Sequence, residues 1–118
     1  MPALAQRSAS TQASARRLER ARMLKAMAHP SRLLMLETLA DGERCVCELQ
    51  RLVGADVSTV SKHLALMRTA GLVEDRREGL KVFYRLRVPC LVDLFACIDA
   101  ARDEASRCDR RTTPRRIR

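Results

Sequence analysis

From about Ser14 apolar residues recur at helical spacing, and Leu18, Met23, Leu24 and Met27 form a stripe that runs up to His29-Pro30. Pro30-Ser31 restarts the chain, because proline is tolerated in a first helical turn. Leu33, Leu34, Leu36 and Leu39 give the resulting second helix an apolar face, closed by Asp41-Gly42. A third, short helix carries Val46, Leu49, Leu52 and Val53 and stops at Gly54, after which Asp56, a residue type suited to an N-cap, opens a fourth. Within that fourth helix, Val57 to about Ala70, the i, i+4, i+7 spacing of Val60, Leu64 and Met67 predicts a buried face. Ser58, Thr59, Ser61, Lys62 and Arg68 lie off it. After Gly71 the period shortens: Leu72 to Arg76 and Lys81 to Arg87 have β character around a turn at Arg77-Glu78-Gly79. A last helix starts near Val88-Pro89 with Leu91, Leu94, Phe95 and Ile98 apolar. The pattern predicts a mainly α protein with one small β-hairpin.

At 118 residues the chain suits one domain with a modest core. Residues 14–106 are expected to form it, between an N-terminal arm over residues 1–13 and a basic tail over residues 107–118. The first seventeen residues contain no acid, a composition shared with organellar transit peptides but read here as a flexible arm. No stretch reaches the roughly 18 apolar residues of a membrane span, so a cytoplasmic protein without membrane contact is expected. The formal charge of +9 calls for an anionic partner, and with 3% aromatic residues stacking on single-stranded bases is poorly supported, which leaves duplex phosphate. Part of that charge is local, since Arg107 to Arg118 holds six Arg against one Asp. Such an end is either a solvated tail or an extra phosphate-gripping arm. Five cysteines, Cys45, Cys47, Cys90, Cys97 and Cys108, form an odd set without an export signal, which argues for reactive or metal-binding thiols over a disulfide framework.

Two helices joined by a short turn containing Gly, the second capped by Asp, fit a helix-turn-helix. A recognition helix entering the major groove needs compact side chains that reach base edges, and Ser58, Thr59, Ser61 and Lys62 meet that need, with Arg68 beside them. A hairpin bearing Arg76, Arg77, Lys81 and Arg85 directly afterwards can lie along neighbouring phosphates as a wing. His63, beside Leu64, reads as a partly buried packing residue and is assigned no chemistry.

The segments Val60-Ser61-Lys62-His63-Leu64-Ala65-Leu66-Met67, Ala70-Gly71-Leu72-Val73, Arg76-Arg77-Glu78-Gly79 and Tyr84-Arg85-Leu86 resemble the ArsR/SmtB family of repressors, as does Ala28-His29-Pro30-Ser31-Arg32-Leu33 before helix two. The likeness covers roughly Leu18 to Asp99 and leaves both ends unmatched. It implies a winged helix-turn-helix that dimerises through its first and last helices and binds double-stranded DNA, with no cofactor needed. Two-fold symmetry then implies a palindromic operator.

Cys45-Val46-Cys47-Glu48-Leu49 matches the first two thiols of that family's arsenic motif, and the resemblance implies As(III), or Sb(III), as an inducer. Thiolates are soft ligands for thiophilic ions, and a helix start next to Arg44 is expected to lower thiol pKa values. Residues i and i+2 point about 200° apart on an ideal helix, so joint ligation by Cys45 and Cys47 is expected to distort the first turn. The motif's third thiol falls at Gln50, which leaves Cys90, Cys97 and Cys108 as candidates. On a straight helix those three lie within about 20° of one another. For Cys97, between Ala96 and Ile98, packing at a dimer interface is the competing expectation. Zinc or nickel on the last helix is disfavoured, because Asp93, Asp99 and Asp103 stand there without a His. Three other readings stay open. Oxidation or persulfidation can link Cys45 or Cys47 to Cys90 or Cys97 in the same fold. A thiol oxidoreductase is disfavoured by the lack of a βαβ pattern, so no enzyme activity is expected, and an architectural DNA-binding protein would have no ligand at all.

Overall fold

The computed structural model describes residues 2–111, with side chains from residue 9 to residue 105. Helix α1 spans Pro2–Met27, followed by α2 (Pro30–Ala40), β1 (Arg44–Cys45), α3 (Val46–Val53), α4 (Val57–Thr69), β2 (Val73–Glu78), β3 (Lys81–Leu86) and α5 (Leu91–Arg111). The fold is the expected mainly helical winged helix-turn-helix, with a third strand that periodicity did not reveal. Two compact units divide it, Met1–Val88 and Pro89–Arg118.

Helix α1 begins twelve residues before the expected Ser14, so residues 2–13, read as an arm, are helical. Their Ala, Gln, Arg and Leu content is strongly helix-forming even where no apolar stripe marks it. Likewise α5 continues through residues 107–111 of the expected tail, while residues 112–118 lie outside the described residues.

In the first unit each helix boundary has a local cause. Pro30 sits in the first turn of α2 and His29 caps it, its Nδ1 accepting from the Ser31 N–H at 3.1 Å. Gly54 ends α3 at φ 73°, a left-handed conformation in which its N–H reaches Gln50 O at 2.9 Å. Two residues later Asp56 caps α4, its Oδ1 accepting from Thr59 N–H at 2.9 Å. These two devices set the short turn between α3 and α4.

The core gathers around α2 and α4. Met35, Leu36, Leu39, Leu49, Val60, Leu64, Met67, Leu72 and Val73 are buried, with Ala26 and Met27 at the end of α1. The α4 face matches its spacing. On α2 the buried face includes Met35 and leaves Leu34 partly exposed, and on α3 Leu52 is exposed while Leu49 carries the burial.

The wing is the β2–β3 hairpin, turning at Gly79-Leu80 with Gly79 at φ 63°. Its register runs from Val73 opposite Leu86 to Glu78 opposite Lys81. Strand β1 adds to the other edge of β3, giving the antiparallel order β1-β3-β2, with Arg44 opposite Tyr84 and Cys45 opposite Phe83.

Candidate nucleic-acid interface and thiol site

With Val60, Leu64 and Met67 facing the core, the open side of α4 carries Ser58, Thr59, Ser61, Lys62 and Arg68, all exposed as expected. Ser58, Lys62 and Thr69 fall within an arc of about 40° opposite the buried face, so Thr69 belongs with them although its residue type gave no signal. The cap enters this surface. Hydrogen bonds from the Thr59 side chain and N–H, and from the Ser58 side chain, hold the Asp56 carboxyl below its ordinary value against the opposing effect of burial. Asp56 thus fixes the first turn of α4 in place.

The basic residues separate into two kinds. Arg68 pairs with Asp75 at 3.1 Å, and Arg85 with Glu74 at 2.5 Å. Arg76 donates to Glu43 and Glu78 at 2.8 Å each and lies over the Phe83 ring, 4.7 Å from its centroid. Arg77 and Lys81 flank the tip of the wing, exposed, and form no ion pair among the described residues. Of the expected phosphate contacts in the wing, these two are free to act. Arg68 and Arg76 already serve acidic neighbours that the sequence reading did not weigh.

Arg22 and Lys25 of α1 also border an open groove with Ala65, Leu66 and Thr69 of α4. The basic run Arg20, Arg22, Lys25 was their only sequence signal.

His63, read as a packing residue, is half-buried and accepts from Arg32 Nε at 3.1 Å through its Nδ1, its ring centroid 4.6 Å from that of His29. Arg32 also donates to Lys25 O and Ala26 O at 3.2 Å each. This pair ties α4 to the end of α1 and the start of α2. Burial, with the nearby His29 and Arg32, pushes the His63 pKa down, so the neutral ring that accepts from Arg32 is the stable form.

At the mouth of α3 the two thiols differ. Cys45 is buried and Cys47 exposed. Cys45 is extended, at φ −80° and ψ 155°, and serves as the N-cap while Cys47 lies in the first turn. The ideal-helix angle between residues i and i+2 therefore does not govern this pair. No side-chain hydrogen bond closes the cap, as suits a thiol, which is a weak acceptor. The thiolate is a stronger one. The Glu48 N–H foremost, then the Cys47 N–H and thiol, lower the Cys45 pKa, against burial and the Glu48 carboxylate. The expected influence of Arg44 is absent from these causes; its Nε faces Glu48 at 3.8 Å instead.

Gln50, where the arsenic motif has its third thiol, is half-buried one turn along α3. In the second unit Cys90 and Cys97 are both exposed, and Cys90 precedes the first residue of α5, so the three-thiol stripe expected along one straight helix does not form as drawn. The Cys108 side chain lies outside the described ones. Among the described residues no group of three or more His, Cys, Asp or Glu is arranged to hold a metal ion. Nor is any described helix long and apolar enough to cross a membrane.

Comparison with known proteins agrees with this architecture. A family model described as bacterial regulatory protein, arsR family, matches residues 29–75. The chain is similar to a biofilm growth-associated repressor of Agrobacterium fabrum, 45% identical over 71 residues, covering 60% of this chain and 61% of that one. It is also similar to an arsenic resistance transcriptional regulator of Pseudomonas putida, 41% identical over 83 residues, 66% of this chain and 65% of that one. The chain thus spans less than two thirds of either relative. A homodimeric winged helix-turn-helix DNA-binding domain from Mycobacterium bovis superposes with a TM-score of 0.70 at 36% identity, covering 80% of this chain and 87% of that one.

Proposed function

The chain belongs to the ArsR family of bacterial regulatory proteins, and from that premise we propose that it is a homodimeric repressor, released from a palindromic operator when As(III) binds Cys45 and Cys47. The observation that carries the sensing half is the position of Cys45 as the cap of α3, its thiolate favoured by the helix amides and the Cys47 thiol within reach. Arsenous acid exchanges each hydroxyl for a thiol and releases water, so a trivalent centre takes three sulfurs. Cys45 and Cys47 supply two. The third comes from Cys90, Cys97 or a thiol from solution. Antimony in the same oxidation state is the chemically closest competitor.

The DNA half rests on α4 and the wing. Ser58, Thr59, Ser61 and Lys62 offer hydrogen-bonding groups to base edges, and Arg77 and Lys81 offer charge to phosphates. Exposed apolar residues on α1 (Leu18, Leu24) and on α5 (Val92, Leu94, Ile98) suit these helices to a dimer interface. Such a dimer presents two recognition helices to successive major grooves. The protein acts in the cytoplasm by binding alone.

As(III) titrated into the reduced, DNA-free protein tests the reading through the absorbance of arsenic–thiolate bonds. Wild type should give a saturable band, Cys45→Ser and Cys47→Ser should lose it, and any effect of Cys90→Ser or Cys97→Ser identifies the third ligand. Absence of a band in wild type refutes arsenic sensing.

Gln50 at the third motif position favours one alternative. Two thiols, one from the pair and Cys90 or Cys97, give two protons and two electrons to hydrogen peroxide, which leaves as two waters, or to a persulfide, which leaves as a thiol and hydrogen sulfide, and join in a disulfide bridge. A strong reductant erases that response and leaves arsenic binding intact.

A further inference from the structure

One register row crosses all three strands: Cys45 of β1 stands opposite Phe83 of β3, and Phe83 opposite Arg76 of β2. Directly paired residues of an antiparallel sheet project to the same side, and Glu43, the residue just before β1, reaches that side through its contact with Arg76. There Arg76 stacks on the Phe83 ring and gives two nitrogens to the Glu43 carboxylate, a contact that closes 33 residues of chain. Its remaining fork nitrogen holds Glu78, next to the wing tip.

We propose that the Glu43–Arg76 pair, seated on Phe83, is the strut through which the thiol-bearing turn sets the position of the wing. For the identity of the ligand this rests on the arsenic reading; the coupling itself rests on the sheet. Cys45 is at once the last residue of β1 and the cap of α3, so a ligand that draws its sulfur toward Cys47 shifts a two-residue strand laddered to β3. Glu43 moves with that strand and carries Arg76, hence β2, along with it. Arg77 is the next residue of β2 and Lys81 faces Glu78 across the hairpin, so both phosphate-gripping cations are displaced. Arg76, expected from sequence to contact DNA, becomes a positioning residue.

The experiment measures operator affinity of the full-length protein by fluorescence anisotropy, with and without As(III) under reductant, alongside hydrogen exchange of the β2 and β3 amides. Wild type should lose affinity by about 5- to 150-fold on adding As(III), the usual range of allosteric coupling. Glu43→Ala and Arg76→Ala should each cut that factor at least about threefold, while As(III) binding to the DNA-free protein stays as in wild type. The double variant should be no worse than either single one, because the two residues act through each other. Both single variants should exchange their wing amides faster without ligand. An unchanged release factor with wild-type exchange, or additive losses in the double variant, overturns the strut. If wild type holds the operator in As(III), the arsenic reading fails and exchange decides: fast wing exchange in both single variants, no faster in the double, sustains the strut, and wild-type exchange overturns it.

Discussion

Replacing the free wing cations should change how operator affinity depends on salt, whereas replacing a committed one should not. Arg77 and Lys81 are exposed and form no ion pair among the described residues, but Arg68 is held by Asp75 at 3.1 Å. Each phosphate contact adds about 0.9 to the slope of log affinity against log salt. A dimer loses two such contacts per substituted position, so Arg77→Ala or Lys81→Ala should make the slope shallower by about 1.8. Between 50 and 200 mM salt, wild type should then lose about 12-fold more affinity than the variant. Fluorescence anisotropy on one operator duplex across four or five salt concentrations reads this directly. Arg68→Ala should keep the wild-type slope. Equal slopes for Arg77→Ala and wild type, or a drop for Arg68→Ala matching that of Arg77→Ala, would refute the division into free and committed cations.

Other outcomes follow from the core and caps. Met67→Ala removes a fully buried side chain and should lower stability by about 2–5 kcal/mol in chemical denaturation. Gly54→Ala puts a Cβ into open space at φ 73°, so only backbone strain is added; about 1 kcal/mol should be lost with the fold retained. Asp56→Ala, which removes the Thr59 hydrogen bond, should cost about 1 kcal/mol and weaken operator binding. The lowered His63 pKa means that the unfolded chain takes up protons first as pH falls. Stability should therefore be intact above the ordinary histidine value of 6.5 and decline as pH falls from there through the folded value. Thermal melts across that window should show the decline, and His63→Gln should remove this contribution.

What the sequence made legible is what periodicity and capping encode locally. The α4 face and its Asp56 cap, the Gly54 stop and the hairpin were readable because each depends on residues within one or two turns of chain. Strand β1 was not, since two residues carry no period and their pairing partner lies nearly forty positions away. The same non-locality hid the partners of Arg68 and Arg76, so a basic residue in the right segment was read as a DNA contact when an acidic neighbour already held it. At the thiol site the residues were legible and their geometry was not. Placing Cys45 on α3 gave an angular argument that the extended N-cap conformation removes; the helix start is a cause of its acidity as expected, through the Glu48 and Cys47 amides, whereas Arg44 is not. Helix α1 was read short because residues 2–13 have strong helix propensity without an apolar stripe.

The most direct test of the sensing claim is operator binding by the reduced protein at one fixed salt concentration while As(III) is titrated, comparing wild type with Cys45→Ser/Cys47→Ser. Wild type should release the duplex, and the double variant should hold it with unchanged affinity at every As(III) concentration. Release by the double variant, or retention by wild type under the same reductant, would contradict a sensor at the mouth of α3.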